Sequence, residues 1–311
     1  MNTRKIVIGA VLVFIGLPVV LVLIVAVSFY VLNRTNGAIV SSGQKREYLL
    51  YVPRSYDRAK PTPLVISMHG GGAWPAQQMN LSRWNRLADE HGFIVVYPAG
   101  AGMGPRIWDN DTADVRFISD LIDKLEAAYN IDPTRIYVNG FSNGGAMANE
   151  LSCTLSHRIA AVGTVAPALL LPWSWCADSR PMPMIDFNGT ADPAAPYNGG
   201  PSFASPPRFI ASDHGKSIPF ASVSTIAANW ARRNRCGPNP VESAVAADVT
   251  RREYTNCADD AAVVLYTIQG GGHTWPGGKP MPEWFVGPTS RNIDASRVMW
   301  EFFVQHRRGP K

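Results

Sequence analysis

Short, uninterrupted apolar runs separated by stretches of helical periodicity constrain this chain more than any other feature. The runs are Leu64-Val65-Ile66-Ser67-Met68, Phe93-Ile94-Val95-Val96-Tyr97, Arg135-Ile136-Tyr137-Val138, Ala160–Val165, Met184–Phe187 and Val263–Ile268. Among them Ile118, Leu121, Ile122 and Leu125 recur at three- and four-residue spacing, which predicts a helix with one apolar face. A strand apolar on both sides has to be covered on both sides, and helices lying between such strands in the chain provide the cover. The expected class is therefore α/β, a mostly parallel central sheet with helices on both faces. Asp132-Pro133 reads as a break just before the strand at Arg135.

The composition allows such a core. Of 311 residues, 46% are apolar and 17% charged, which excludes a disordered chain. The 29 Lys and Arg against 24 Asp and Glu leave a net charge of only +5. No dense basic run carries interleaved aromatics, and Arg307-Arg308-Gly309-Pro310-Lys311 reads as a solvated end, so nucleic acid is not an expected partner.

The N-terminus has a different character. After Arg4-Lys5, no charge occurs from Ile6 to Leu32. A bilayer span needs about 20 apolar residues, whereas the apolar region of a cleavable signal runs to about 7–15. Residues 1–33 are thus expected to form a signal anchor, a transmembrane helix that tolerates Pro18, with its N-terminus cytoplasmic. Ala26-Val27-Ser28 resembles a cleavage site, and cutting there would give a secreted form. The polar stretch 34–44 reads as a linker, and residues 45–311 as one body on the outer side of the membrane. That body contains Cys153, Cys176, Cys236 and Cys257 with no CxxC pair, which fits disulfides better than zinc. Pairing of sequence neighbours, Cys153–Cys176 and Cys236–Cys257, is one of three connectivities. Residues 193–221, rich in Pro, Gly, Ser and Ala, read as a lid, a pocket wall or a connecting loop.

The strand at Ile136 runs into Asn139-Gly140-Phe141-Ser142-Asn143-Gly144-Gly145, followed by a good helix opening. This is G-x-S-x-G in a strand–turn–helix setting, the arrangement that lifts a nucleophilic serine above the edge of a sheet. Small residues two before and two after Ser142 are needed in so sharp a bend. An oxyanion requires two backbone N–H donors. Asn143 is expected to supply one and Gly71, in His69-Gly70-Gly71-Gly72 after an earlier strand, the other.

A serine needs a base, and six histidines are available. His69 belongs to the oxyanion loop and His91 precedes a strand. His157, His214 and His306 lie in a helical segment, the Pro/Ser-rich stretch and the C-terminal tail. His273 follows a late strand in Gly270-Gly271-Gly272-His273-Thr274-Trp275-Pro276, where such a sheet places its base. The acid belongs between Ser and His in the chain. Asp186 lies inside a strand, whereas Asp192 follows it in Asn188-Gly189-Thr190-Ala191-Asp192-Pro193. Asp192 is chosen, with Asp178 second.

These stretches resemble the polyhydroxybutyrate depolymerase-like and feruloyl esterase group of the α/β-hydrolases, within carbohydrate esterase family one. The resemblance rests on His69-Gly70-Gly71-Gly72, Asp132-Pro133-Thr134-Arg135-Ile136, Gly140-Phe141-Ser142-Asn143-Gly144-Gly145, Asn188-Gly189-Thr190-Ala191-Asp192, Pro196-Tyr197-Asn198-Gly199-Gly200 and Gly272-His273-Thr274-Trp275-Pro276-Gly277. It covers about residues 45–304, and among its departures the group usually has His where Asn188 stands. It implies the α/β-hydrolase fold, a Ser142–Asp192–His273 triad and both neighbour disulfides.

The expected activity is that of an extracytoplasmic serine esterase working through an acyl-enzyme, which calls for neither metal nor organic cofactor. Its partner would be an ester of a feruloyl or acetyl group on a sugar, or of a hydroxyalkanoate. Trp74, Trp108 and Trp275 are candidate pocket residues, with Trp173 and Trp175 as further aromatics. The same triad would serve an acyltransferase, and a silent carbohydrate-binding protein is the non-enzyme reading.

Overall fold

The computed structural model describes residues 17–102, 106–109, 111–167, 176, 180–200, 212–213, 216–217 and 221–309. The chain divides into two units, Met1–Arg34 and Thr35–Lys311. In the first, the described part is essentially helix α1 (Leu17–Leu32), on which Val22, Leu23, Val27 and Tyr30 are exposed. Sixteen residues rise about 24 Å, short of the ~30 Å hydrocarbon layer. Among the described residues, no helix is long and apolar enough to cross a membrane. The spanning helix expected over Ile6–Leu32 is therefore not found there, and residues 1–16, its first part, lie outside the described residues.

The second unit is built on a sheet with strand order β1-β2-β4-β3-β5-β6-β7-β12-β11-β10. Its parallel centre comprises β4 (Ile94–Pro98), β3 (Thr62–Met68), β5 (Ile131–Phe141), β6 (Ala161–Val165), β7 (Met184–Gly189) and β12 (Val263–Ile268). These are the six apolar runs of the sequence, and β3, β4, β6, β7 and β12 are buried along their whole length. Helices α4 (Thr112–Ala128), α5 (Asn143–Thr154) and α6 (Val223–Arg233) cover one face. Helices α2 (Pro75–Ser82), α3 (Trp84–His91) and α8 (Ala295–Phe303) cover the other, where Trp84, Phe93, Tyr137, Trp300 and Phe303 stack into one aromatic core. A short helix α7 (Glu283–Val286) precedes α8, and β8 (Ser212–Asp213) pairs with β9 (Lys216–Ser217) apart from the main sheet.

Antiparallel hairpins close both edges, and one of them corrects the sequence reading. The stretch 34–44 is not a simple linker, because it contains β1 (Gly37–Ser41), which pairs with β2 (Gln44–Tyr51) in register Ser41↔Gln44. Ser42 and Gly43 turn the hairpin with φ of 51° and 74°, the left-handed pair that a tight two-residue hairpin turn uses. The opposite edge is β10 (Val241–Ala246) on β11 (Val249–Tyr254). Asp132-Pro133 does interrupt the pairing of β5, whose register with β3 passes from Thr62↔Ile131 to Leu64↔Ile136. Strand β5 starts at Ile131 and absorbs the proline at a register irregularity opposite Thr62 and Leu64, where a missing N–H is tolerated.

Both neighbour disulfides are present, Cys153–Cys176 at the end of α5 and Cys236–Cys257 joining the segment after α6 to the segment after β11. A crosslink closing a loop of 21 residues should contribute about 3 kcal/mol through the unfolded state. We expect Cys236→Ser/Cys257→Ser to lower Tm by roughly 6–12 °C in a thermal melt.

Candidate active site

Each of the three residues read as a triad sits at the C-terminal end of a central strand, the edge where an open parallel sheet gathers ligand-facing loops. Ser142 links β5 to α5 with φ 53° and ψ −119°, a conformation that L residues seldom adopt and that the surroundings must hold in place. Its amide donates to the Val165 carbonyl at 2.9 Å, and its own carbonyl accepts from Ala146. Gly140 and Gly144 make the bend possible. A Cβ on Gly140 would collide with the Gly144 carbonyl, and one on Gly144 with the carbonyls of Met68 and His69. Ser142 occupies the N-cap position of α5 yet makes no capping bond with its side chain. Its hydroxyl is therefore not spent on the helix.

Asp192 and His273 come together from the loops after β7 and β12. Nδ1 of His273 lies 2.8 Å from Oδ2 of Asp192, and both residues are buried. A carboxylate can only accept, so the proton of this bond sits on Nδ1 and the lone pair on Nε2. The other oxygen, Oδ1, accepts from the amides of Ala194 and Ala195 at 2.7 Å each, which fixes the carboxylate plane. The ring of Phe141, next to Ser142, packs 4.8 Å from the His273 ring. Asp178, the second candidate acid, lies outside the described residues, as do Trp173, Trp175 and His214.

The His69–Gly72 loop lies against the start of α5. A Cβ on Gly70 would stand 3.5 Å from that of Ser142, and one on Gly71 would stand 3.4 Å from that of Asn143. Gly72 donates its amide to Arg106 and Ala73 donates to Gly70, whereas among the described residues the Gly71 amide makes no such backbone bond. Asn143 opens α5, where an amide has no partner within the helix. His69 is a framework group, not a base. Its Nδ1 donates to the Gly70 carbonyl at 2.8 Å and its Nε2 accepts from the Gly100 amide at 3.0 Å. Burial lowers its pKa to about 4, which keeps it neutral.

Two of the candidate pocket tryptophans are placed otherwise than expected. Trp275 is wholly buried, and its indole donates to Ser296 Oγ at 3.0 Å, which in turn donates to the Ser82 carbonyl. Trp108 is also buried and donates from Nε1 to the His69 carbonyl at 3.0 Å. Both brace loops around the site and neither presents a face to a ligand. Trp74 is half-buried just before α2. Sequence reasoning missed the function of the Asn143 side chain. It accepts from the Trp108 amide at 2.8 Å and donates to the Trp108 carbonyl at 2.9 Å, tying the helix start to the loop that carries Arg106 and Trp108.

Asn188, where the resembling group has His, donates from Nδ2 to the Asp186 carboxylate at 2.7 Å, and Thr164 donates to the same carboxyl group at 2.6 Å. Burial raises the Asp186 pKa to about 6 and that of Glu150, on α5, to about 7. A buried carboxyl raised in this way binds its proton more tightly folded than unfolded, so it lends stability at low pH that is lost as pH rises toward its folded pKa. We expect Glu150→Gln to raise Tm by a few degrees at pH 8 and to change it little at pH 4.5, as thermal melts across that range would show.

Comparison with known proteins adds a second line of observation. The family model described as BD-FAE matches residues 50–162. Feruloyl esterase B of Piromyces equi is 32% identical over 244 residues, which cover 75% of this chain and 44% of that protein, so the chain spans less than half of that relative's length. Feruloyl esterase C of Emericella nidulans is 26% identical over 279 residues, 87% of each chain. The solved acetyl xylan esterase from Aspergillus awamori superposes with a TM-score of 0.57 at 16% identity, covering 86% of this chain and 98% of that one, a likeness of fold.

Proposed function

We propose, from the premise that the chain belongs to the feruloyl esterase group of the α/β-hydrolases, that it is a carboxylic ester hydrolase working as an extracytoplasmic serine esterase. The observation that carries the mechanism is the 2.8 Å bond from His273 Nδ1 to a carboxylate held by two amides, with the His273 ring packed on Phe141, the neighbour of a serine strained out of the ordinary backbone regions. In this reading His273 Nε2 takes the Ser142 proton as Oγ attacks the ester carbonyl. Asp192 keeps the imidazole in the Nδ1–H tautomer and stabilises its protonated form. The amides of Gly71 and Asn143 receive the oxyanion, with the N-terminus of α5 adding its positive end. The imidazolium then returns the proton to the leaving alkoxide. Water, activated by the same base, releases the acid from the acyl-enzyme.

The substrates best supported are feruloyl and acetyl esters, the classes named by the relatives. The apolar, uncharged N-terminal stretch and the two disulfides support a body outside the cytoplasm, held at a membrane or released by cleavage. The test is turnover of methyl ferulate, an aryl acetate and a hydroxybutyrate ester, together with mass spectrometry of protein quenched during turnover. An acyl adduct on Ser142 and release of free acid are expected. Persistent transfer of the acyl group to an added sugar in preference to water would assign the acyltransferase reading instead. Failure of folded, oxidised protein to react with a fluorophosphonate would remove the enzyme reading.

A further inference from the structure

Between the two catalytic-end loops and helix α8 lies a short segment that the mechanism above leaves unused. Its carbonyls hold the base-bearing loop from outside. Val286 accepts from the His273 amide at 2.6 Å, while Pro288 accepts from the Gly272 amide at 2.8 Å and from the Thr274 hydroxyl at 3.2 Å. On the other side, a Cβ on Gly287 would stand 3.6 Å from the carbonyl of Ala191, next to Asp192. Just before these residues, α7 carries Trp284, 88% exposed, and Phe285, 60% exposed, with their ring centres 5.8 Å apart. Trp284 is two residues from Val286, so its Cα lies within about 7 Å of the carbonyl-bearing residue that binds the His273 amide. Large aromatics are normally buried on folding, and leaving two adjacent ones in water forgoes the stabilisation that their burial would bring.

We infer that Trp284 and Phe285 form a platform on which sugar rings of the ester's alcohol portion, a glycan chain, stack while the acyl group reaches Ser142. The inference rests on the esterase reading and adds a subsite to it. The acyl group has to descend to the strand ends, whereas these rings stand on the outside and suit the part of a substrate that stays outside. A lipid surface is the weaker match. The exposed acidic Glu283 directly adjoins the two rings in the chain, where an anionic bilayer would favour Lys or Arg. A carboxylate beside an aromatic face does suit a sugar, accepting from hydroxyls at the ring edge while the apolar C–H face lies on the indole.

The experiment compares the full-length chain with Trp284→Ala and Trp284→Ala/Phe285→Ala on methyl ferulate and on feruloylated or acetylated xylo-oligosaccharides. Expected are small-ester kinetics unchanged within about twofold, and a KM for the oligosaccharides raised about five- to tenfold with kcat little altered. Trp284→Tyr, which retains a ring, should recover most of the loss and separates stacking from misfolding. Binding of unesterified xylo-oligosaccharide to Ser142→Ala protein, with and without Trp284→Ala, reads the platform without any turnover and so stands even if the esterase reading fails. An unchanged oligosaccharide KM overturns the inference, as does an equal loss on methyl ferulate. Loss of co-sedimentation with phosphatidylcholine/phosphatidylglycerol vesicles, with oligosaccharide kinetics intact, overturns it in favour of a lipid contact.

Discussion

Replacing Ser142 by Ala is expected to lower kcat/KM on any ester that the protein turns over by about 10⁴-fold or more and to abolish labelling by a fluorophosphonate, with Tm unchanged within a degree or two. The hydroxyl caps nothing, so its removal costs the fold little. A second substitution separates chemistry from strain. At φ 53° and ψ −119° a Cβ is held against its preference, and Ser142→Gly should be equally inactive yet more stable by about 1 kcal/mol. An alanine variant within tenfold of wild type would assign the chemistry to another group.

The largest effect on stability is expected two residues earlier, at the end of β5. Gly140→Ala drives a methyl group into the Gly144 carbonyl, with the Gly145 amide nitrogen 2.7 Å away. The collision is with backbone, and the turn has nowhere to retreat because Gly144 is itself pressed against the carbonyls of Met68 and His69. Destabilisation of about 4 kcal/mol or more should follow. It would show as a Tm lowered by over 10 °C or as failure to recover folded protein. Gly309→Ala, with nothing near its added methyl, is the control and should melt with wild type.

How much of this was legible in the sequence follows from burial. Strands β3, β4, β6, β7 and β12 are covered on both sides, so most of their residues are apolar and the runs stood out, with polar exceptions such as Asp186 and Asn188 paired to each other. The outer hairpins carry no such mark. Val241–Ala246 is almost wholly exposed, and β11 mixes Arg251, Arg252 and Glu253 with its apolar residues. The polar flanks of 34–44 concealed β1, whose apolar part is only Ala38-Ile39-Val40, although Ser42-Gly43 was a hairpin signal in plain view. At the site, glycine spacing and chain order singled out Ser142, Asp192 and His273, because bend sterics and strand-end geometry act through local residues. The tryptophans were opaque. Trp275 and Trp284 are the same residue type on neighbouring segments, yet one is wholly buried and the other projects into solvent, a difference set by tertiary packing that no local pattern encodes.

The doubly bonded side chain of Asn143 carries a consequence for how the proposed oxyanion hole responds to substrate. Its own amide is one of the proposed donors, its side chain grips Trp108 through both backbone groups, and the Trp108 indole holds the His69 carbonyl at the root of the Gly71 loop. The two donors are thereby parts of one rigid frame, set before any ester arrives. Binding then has no loop-ordering entropy to overcome at this point, and substrate selection falls to the walls above it. Asn143→Asp keeps the acceptor but cannot donate to the Trp108 carbonyl, which frees one half of the hole to drift from the other. The expected result is a lowered kcat with KM nearly unchanged, the mark of a site that has lost its pre-set register and kept its grip on the ground state.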